Sequence, residues 1–138
     1  MKKSEILFWA ARLIAAIIMM QTLYFKFTAS EESVFIFSTV GMEPWGRIGV
    51  GVLELIASVL ILIPATVWAG SLLALGLMVG ALGMHLTFVG IAVKGDGGQL
   101  FIYALIVALC AAYSFWQSKD QLPTFISRLL PSFFKKSN

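Results

Sequence analysis

Four apolar segments, each approaching the length needed to cross a lipid bilayer, constrain this chain more than any other feature. They cover about residues 6–25, 47–63, 67–93 and 99–116. A hydrocarbon core about 30 Å thick takes about 20 apolar residues at about 1.5 Å rise per residue. In lipid each segment must be helical, because a helix satisfies its own backbone hydrogen bonds. The sequence therefore predicts an all-α integral membrane four-helix bundle over residues 1–117.

The composition excludes most soluble classes and several kinds of chemistry. Hydrophobic residues make up 59% and charged residues 12%, against roughly 45–50% and about 25% in ordinary soluble domains. The lipid bilayer is therefore the expected environment, and the net charge of +3 is too small and dispersed to favour nucleic acid. A single cysteine, Cys110, cannot run dithiol chemistry alone. Cys110 and the single histidine, His85, also argue against a protein-only zinc or iron–sulfur site, and we predict no metal site.

The distribution of basic residues predicts that both ends of the chain are cytoplasmic. The first span is interpreted as retained rather than cleaved, because its apolar stretch is too long for a secretory signal and Arg12 interrupts it. With both ends inside, three basic residues fall on the outer side, namely Lys26, Arg47 and Lys94. Seven fall on or near the cytoplasmic side, namely Lys2, Lys3, Arg12, Lys119, Arg128, Lys135 and Lys136.

Segments outside the spans carry signals of their own. In the outer connection 27–45, the Thr28–Glu31 stretch has a capping-box pattern and predicts a short helix that ends near Gly41. Residues 118–138 place apolar side chains at helical spacing among basic ones, which predicts a cytoplasmic amphipathic segment on the inner leaflet, kinked or ended by Pro131. A frayed tail is the alternative interpretation.

Polar residues from all four spans converge on the outer half of the bundle. Glu54 lies about 10 Å from the outer end of the second span, and His85 about 27 Å along the third span from its inner end. The inner half is expected to be dry and apolar. The candidate ligand-binding or proton-site residues are Gln21, Tyr24, Lys26, Arg47, Glu54, His85, Gln99 and Tyr103.

Each candidate also has a structural interpretation. Lys26 and Arg47 are interfacial anchors or a positive rim for an anionic ligand. A carboxylate as deep as Glu54 needs a reason, because a charge at the bilayer centre costs roughly 2.5–3.5 kcal/mol on insertion scales. It is either a ligand or proton site, or a structural partner of His85, Lys26 or Arg47. His85 alone is a packing residue, unless Glu54 is nearby.

Smaller features have packing interpretations. Gln21 and Tyr103 are interpreted as interhelical hydrogen bonders, and Cys110 as a packing residue. Gly76 and Gly80 form a small-xxx-small pair that predicts close approach of another helix.

Three segments together resemble the DoxX-like family of small bacterial membrane proteins. They are Tyr24–Thr28 at the end of the first span, Gly46–Leu55 at the start of the second and Met84–Thr87 in the third. The resemblance covers roughly Leu7–Ala112. It implies a four-helix bundle in a bacterial inner membrane and an association with redox complexes, since the family name comes from a subunit associated with thiosulfate:quinone oxidoreductase.

The family's polar positions, carried over by matching segment, are Lys26, Glu54 and His85. No catalytic residue is assigned, because the chain lacks a redox cysteine pair and a recognisable cofactor motif. The leading hypothesis is a non-catalytic subunit or binding module for a quinone or lipid that supports a redox enzyme. One alternative is a proton-coupled small-molecule transporter acting as a homodimer, in which Glu54 exchanges the proton. Another is an assembly factor or scaffold that docks a second membrane protein.

Overall fold

The computed structural model describes residues 2–129 and 131–134, which form helices joined by short turns. The main helices are α1 (Lys3–Phe27), α2 (Glu31–Val40), α3 (Trp45–Leu62), α4 (Val67–Met84) and α5 (Gln99–Ser118). Two short ones follow, α6 (Thr124–Leu129) and α7 (Pro131–Phe134). The helical segments that contain α1, α3, α4 and α5 are long and apolar enough to cross a membrane. The predicted all-α membrane bundle is therefore confirmed.

The four long helices form an antiparallel ring. α1 and α4 each pack against both α3 and α5, whereas the diagonal pairs barely touch. Small side chains in the middle of each helix allow this close packing. The fully buried alanines are Ala15, Ala57, Ala74 and Ala111.

The two ends of the bundle differ. The terminal end holds the start of α1, the Pro64–Thr66 turn and the end of α5, where the Gln121 side chain donates to the Pro64 carbonyl at 2.7 Å. The opposite end, called the α2 end below, is covered by α2. Ser30 caps α2 by accepting from the Ser33 amide at 3.3 Å, and Gly41 ends it with φ +82°. The predicted short helix between the first and second spans is confirmed.

The third span ends earlier than predicted. α4 continues as a wider π-helical turn, His85–Val89, and stops at Gly90, whose φ of +89° and ψ of 166° suit only glycine. Residues 90–98 are a loop rather than helix up to residue 93. The hydropathy pattern placed the end of the third span too late, because it counted the apolar Val93 as a span residue. Val93 is fully buried, but it lies in this loop.

Glycines on α4 act differently from the prediction. A Cβ on Gly70 would lie 2.3 Å from the Ile61 amide nitrogen, so α3 and α4 touch there, near the terminal end. At Gly76 and Gly80 a Cβ would meet nothing within 4 Å. The predicted close approach at Gly76 and Gly80 was therefore wrong.

The terminal half is not free of charge, contrary to expectation. Arg12 is only 2% exposed, and its Nε and Nη2 donate to the carbonyls of Ile61 and Leu62 at 2.7 and 2.8 Å. Its guanidinium also lies 3.7 Å from the centre of the Trp9 ring. Because the last carbonyls of a helix lack partners within it, Arg12 caps the end of α3.

The tail is described only in part. α6 ends at Leu129, which is 73% exposed, and α7 begins at Pro131. Leu130, Lys135 and Lys136 lie outside the described residues. Docking of residues 118–138 on a membrane surface stays a prediction.

Candidate functional site

A cavity of about 460 Å³ lies beneath α2, in the α2 half of the bundle. All four spanning helices and α2 contribute to its walls, which are mostly apolar. Its volume falls within the roughly 300–1,000 Å³ of small-molecule sites. The side chains that carry its chemistry are Thr22, Lys26, Glu54, His85, Asp96, Gln99 and Tyr103.

Lys26 and Glu54 form an ion pair in this cavity. Glu54 is 2% exposed, and Lys26 Nζ lies 3.2 Å from its Oε1 and 3.1 Å from its Oε2. Local packing brings the pair together. A Cβ on Gly51 would lie 2.7 Å from the Phe27 ring, so glycine at this position lets the end of α1 settle on α3. One of the predicted structural partners of Glu54 is thus present.

One oxygen of Glu54 can still accept a hydrogen bond. Among the described residues, no donor in hydrogen-bonding geometry reaches Oε2, despite its short distance to Lys26. The hydroxyl of Thr22 lies beside the carboxylate but donates to the Met19 carbonyl at 3.0 Å. Oε2 therefore keeps its ionic contact with Lys26 but has an unused capacity to accept a hydrogen bond. A donor placed in the cavity could supply that hydrogen bond.

Arg47 supports the site from outside the cavity. Its Nε lies 2.8 and 3.0 Å from the two carboxylate oxygens of Glu43, and its Nη1 donates to the backbone carbonyl of Lys26. Arg47 therefore holds the end of α1 and does not line the cavity. The predicted positive rim of Lys26 and Arg47 does not form, because each cation has a carboxylate partner.

His85 is held by its own turn. Its Nδ1 lies 2.9 Å from the Gly90 carbonyl, and its ring packs edge-on against Phe101 with centroids 5.7 Å apart. Because a carbonyl only accepts, Nδ1 carries the proton, and Nε2 of the neutral ring is an acceptor. No hydrogen bond joins His85 to Glu54 in the described part of the chain; the two side chains share the cavity instead.

The start of α5 completes the polar wall. Gln99 donates from its amide to the Tyr103 hydroxyl at 2.8 Å, in the assigned amide orientation, which leaves the phenolic hydrogen free to donate. Asp96 accepts from the amides of Val93, Gly98 and Leu100 at 2.9, 2.8 and 3.3 Å. Burial raises the pKa of Asp96, but the hydrogen bonds from these three amides outweigh it and lower the pKa overall.

The sequence prediction of the site included residues that do not line the cavity and missed others that do. Gln21 and Tyr24 are exposed and do not line the cavity, because they lie on a different face of α1 from Thr22. Thr22 and Asp96 were missed. An aspartate followed by Gly97 and Gly98 at the start of a span was the signal that could have identified Asp96.

The charge of the lining restricts the ligand. One lysine, Lys26, lines the cavity together with three carboxylates, those of Glu32, Glu54 and Asp96. An anionic head group would therefore be repelled. Among residues 2–129 and 131–134, no group of three or more histidine, cysteine, aspartate or glutamate side chains could hold a metal ion. The arrangement suits an amphipathic, uncharged organic molecule.

Comparison of the chain with protein-family models, with curated proteins and with solved structures finds no match. The resemblance to the DoxX-like family stays a prediction.

Proposed function

We propose that the protein is a non-catalytic membrane binding module that holds a quinone- or lipid-like molecule in the cavity beneath α2 and supports a membrane redox partner. One observation carries the proposal. Glu54 lines a mostly apolar cavity of ligand size, and its buried Oε2, although 3.1 Å from Lys26 Nζ, has no donor in hydrogen-bonding geometry among the described residues.

The cavity offers different contacts to the two parts of such a ligand. Apolar side chains of α1, α4 and α5 would contact its hydrocarbon part. Glu54 Oε2 and His85 Nε2 would accept hydrogen bonds from its head, and Tyr103 would donate one. A few placed polar groups in an apolar pocket orient a ligand in this way.

The pairing of Glu54 with Lys26 favours binding over proton-coupled transport. A transporter of the predicted kind needs a carboxylate that exchanges its proton in each cycle. Here a lysine of the same protomer lies 3.1 Å from that carboxylate, so uptake of a proton would leave the lysine without its ion-pair partner.

The redox partner and the cellular location rest on the sequence. The resemblance to the DoxX-like family supports a redox complex in a bacterial inner membrane, and the seven-to-three distribution of basic residues supports cytoplasmic ends. Reporter fusions after Leu62 and after Asn138 test the orientation, and both should report the cytoplasmic side. A periplasmic signal from either fusion would contradict it.

Ligand retention tests the proposed function. The full chain is extracted in mild detergent, and its bound small molecules are identified by mass spectrometry. We expect one amphipathic molecule at near-stoichiometric occupancy, and about tenfold lower affinity in Glu54→Gln, in line with the loss of a charged hydrogen bond. Glu31→Gln makes the same change at an exposed position outside the cavity and should retain the ligand. An empty wild-type protein would reject the proposal.

A further inference from the structure

The helices α3 and α4 separate toward the α2 end. Gly70 contacts the backbone of Ile61, and Leu77, Ala81 and Met84 follow Gly70 at i+7, i+11 and i+14, on the same face of α4. These three residues line the cavity. The face of α4 that lines the cavity is thus the same face that contacts α3 at Gly70, nearer the terminal end. From Gly70 toward the α2 end, the gap between α3 and α4 widens.

The cavity reaches the lipid-facing surface through this gap. Gly76 and Gly80 belong to its lining, yet both are exposed, and a methyl group added to either would have no neighbouring atom within 4 Å. A second, apolar groove begins at the same place and runs along α4. It is lined by Trp68, Ala69, Leu72, Leu73, Gly76 and Leu77.

The two spaces form one route. Gly76 and Leu77 belong to both, and from Gly76 to Trp68 the groove extends about 12 Å along the helix. The route therefore leads from a polar chamber to a shallow, open apolar groove on the outer surface of α4. A ligand with one polar head and one hydrocarbon tail would fit such a route.

The head must supply a donor. Glu54 Oε2 can only accept when the carboxylate is ionised, and so can Nε2 of the neutral His85 ring. A carbonyl or ester head offers acceptors alone and could not donate to Oε2, which would keep only its ionic contact with Lys26. A phosphate or carboxylate head would add a negative charge to a lining with three carboxylates and one lysine.

We infer that the ligand is a single-tailed, uncharged amphiphile whose hydroxyl head donates to Glu54 and whose tail leaves sideways between α3 and α4 into the groove along Gly76–Trp68. This inference rests on the proposed function and narrows it to one ligand chemistry. A long-chain alcohol and a quinol share that chemistry.

Pairs of ligands that differ only in the donor test the head. Binding of radiolabelled hexadecanol to the full chain is compared with that of its methyl ether at equal mole fraction in the detergent, and a quinol is compared with its quinone. We expect the hydroxyl form to bind at least about tenfold tighter in one or both pairs, because only that form donates a hydrogen bond to the buried carboxylate. The pair that shows the difference identifies the source.

The outcomes separate the two proposals. Equal or weaker binding of the hydroxyl forms in both pairs would overturn the inference while leaving the binding module intact. If neither pair binds and the purified protein is also empty, both proposals fall.

A photoreactive tail tests the route. Hexadecanol with a diazirine at its tail end should label α4 between Trp68 and Gly76 in the wild-type chain. Gly76→Leu should reduce this labelling severalfold by filling the shared opening. Gly83→Leu is the matched control, since Gly83 is also exposed with open space around it but lines neither space. Labelling centred on α1 or α5, or equal labelling in both variants, would overturn the lateral route.

Discussion

Arg12 and Glu54 are both charged side chains buried in the spanning helices, and they differ in how completely they are satisfied. Arg12, at the terminal end, donates to two carbonyls at the end of α3 and stacks on Trp9. Glu54, in the α2 half, contacts Lys26 through both carboxylate oxygens, but Oε2 has no donor in hydrogen-bonding geometry among the described residues. Burial of charge alone does not mark a functional site. What distinguishes Glu54 is the capacity for a hydrogen bond that its own protein leaves unused.

Loss of Arg12 should give the largest effect on stability. Arg12→Ala removes two charge-assisted hydrogen bonds and leaves the Ile61 and Leu62 carbonyls without their caps. We expect the free energy of unfolding to fall by about 3 kcal/mol, since hydrogen bonds to charged groups contribute about 1.5–3 kcal/mol each and part is recovered by water. Unfolding in a detergent titration measures it. Arg128→Ala, at an exposed position, is the control, and an equal effect of both would remove the capping role.

Replacing the Lys26–Glu54 pair should separate stability from binding. In the double variant Lys26→Met/Glu54→Leu, stability should stay the same or rise by about 1–4 kcal/mol, as when buried ion pairs are exchanged for apolar residues. Ligand occupancy should nevertheless be lost. The same detergent titration and mass spectrometry measure both. A double variant that unfolds readily would make the pair structural, like Arg12, and would erase the contrast between the two sites.

Tyr103 should contribute less than Glu54. Tyr103→Phe removes one neutral hydroxyl, and we expect affinity for the retained ligand to fall about three- to tenfold, in line with about 1 kcal/mol for a neutral hydrogen bond. Tyr24→Phe removes the same atom from a residue that is 62% exposed, and it should leave affinity unchanged. If Tyr24→Phe weakened binding as much as Tyr103→Phe, the boundary drawn around the site would be wrong.

The sequence predicted the fold because lipid leaves few alternatives. Apolar runs of near 20 residues must be helices, and the Thr28–Glu31 pattern and Gly41 marked α2 in advance, although the residue that caps the helix is Ser30. Boundaries were less predictable where tertiary packing overrides hydropathy. The apolar Val93 is predicted to be part of a span, although it is a fully buried residue of the loop that follows Gly90.

The depth of the site residues along their helices could be predicted from the sequence, but the helix face that each residue occupies could not. Position along a helix follows from the rise per residue, so the shared depth of Lys26, Glu54 and His85 could be inferred. Which face a polar residue occupies depends on the packing of all helices, and the weak polar stripes did not exclude Gln21 and Tyr24. The hydrogen-bond and ion-pair partners of the polar side chains could not be predicted either, because they depend on side-chain geometry between helices.

Asp96 should show the smallest effect, limited to the loop 90–98. Its pKa is lowered in the folded chain, so its contribution is fully present above the unfolded value near about 3.9 and is lost as pH falls through the lower folded value. Below about pH 4 the protection factors of the loop amides of Val93 and Gly98, corrected for the intrinsic pH dependence of exchange, should therefore fall, while the core of α3 stays protected. Asp96→Asn should show low loop protection factors already at pH 7 and no further fall on acidification. Loop protection that fell with falling pH in the variant as well would assign the effect to another group, with the Glu32 carboxylate at the same cavity as the next to test.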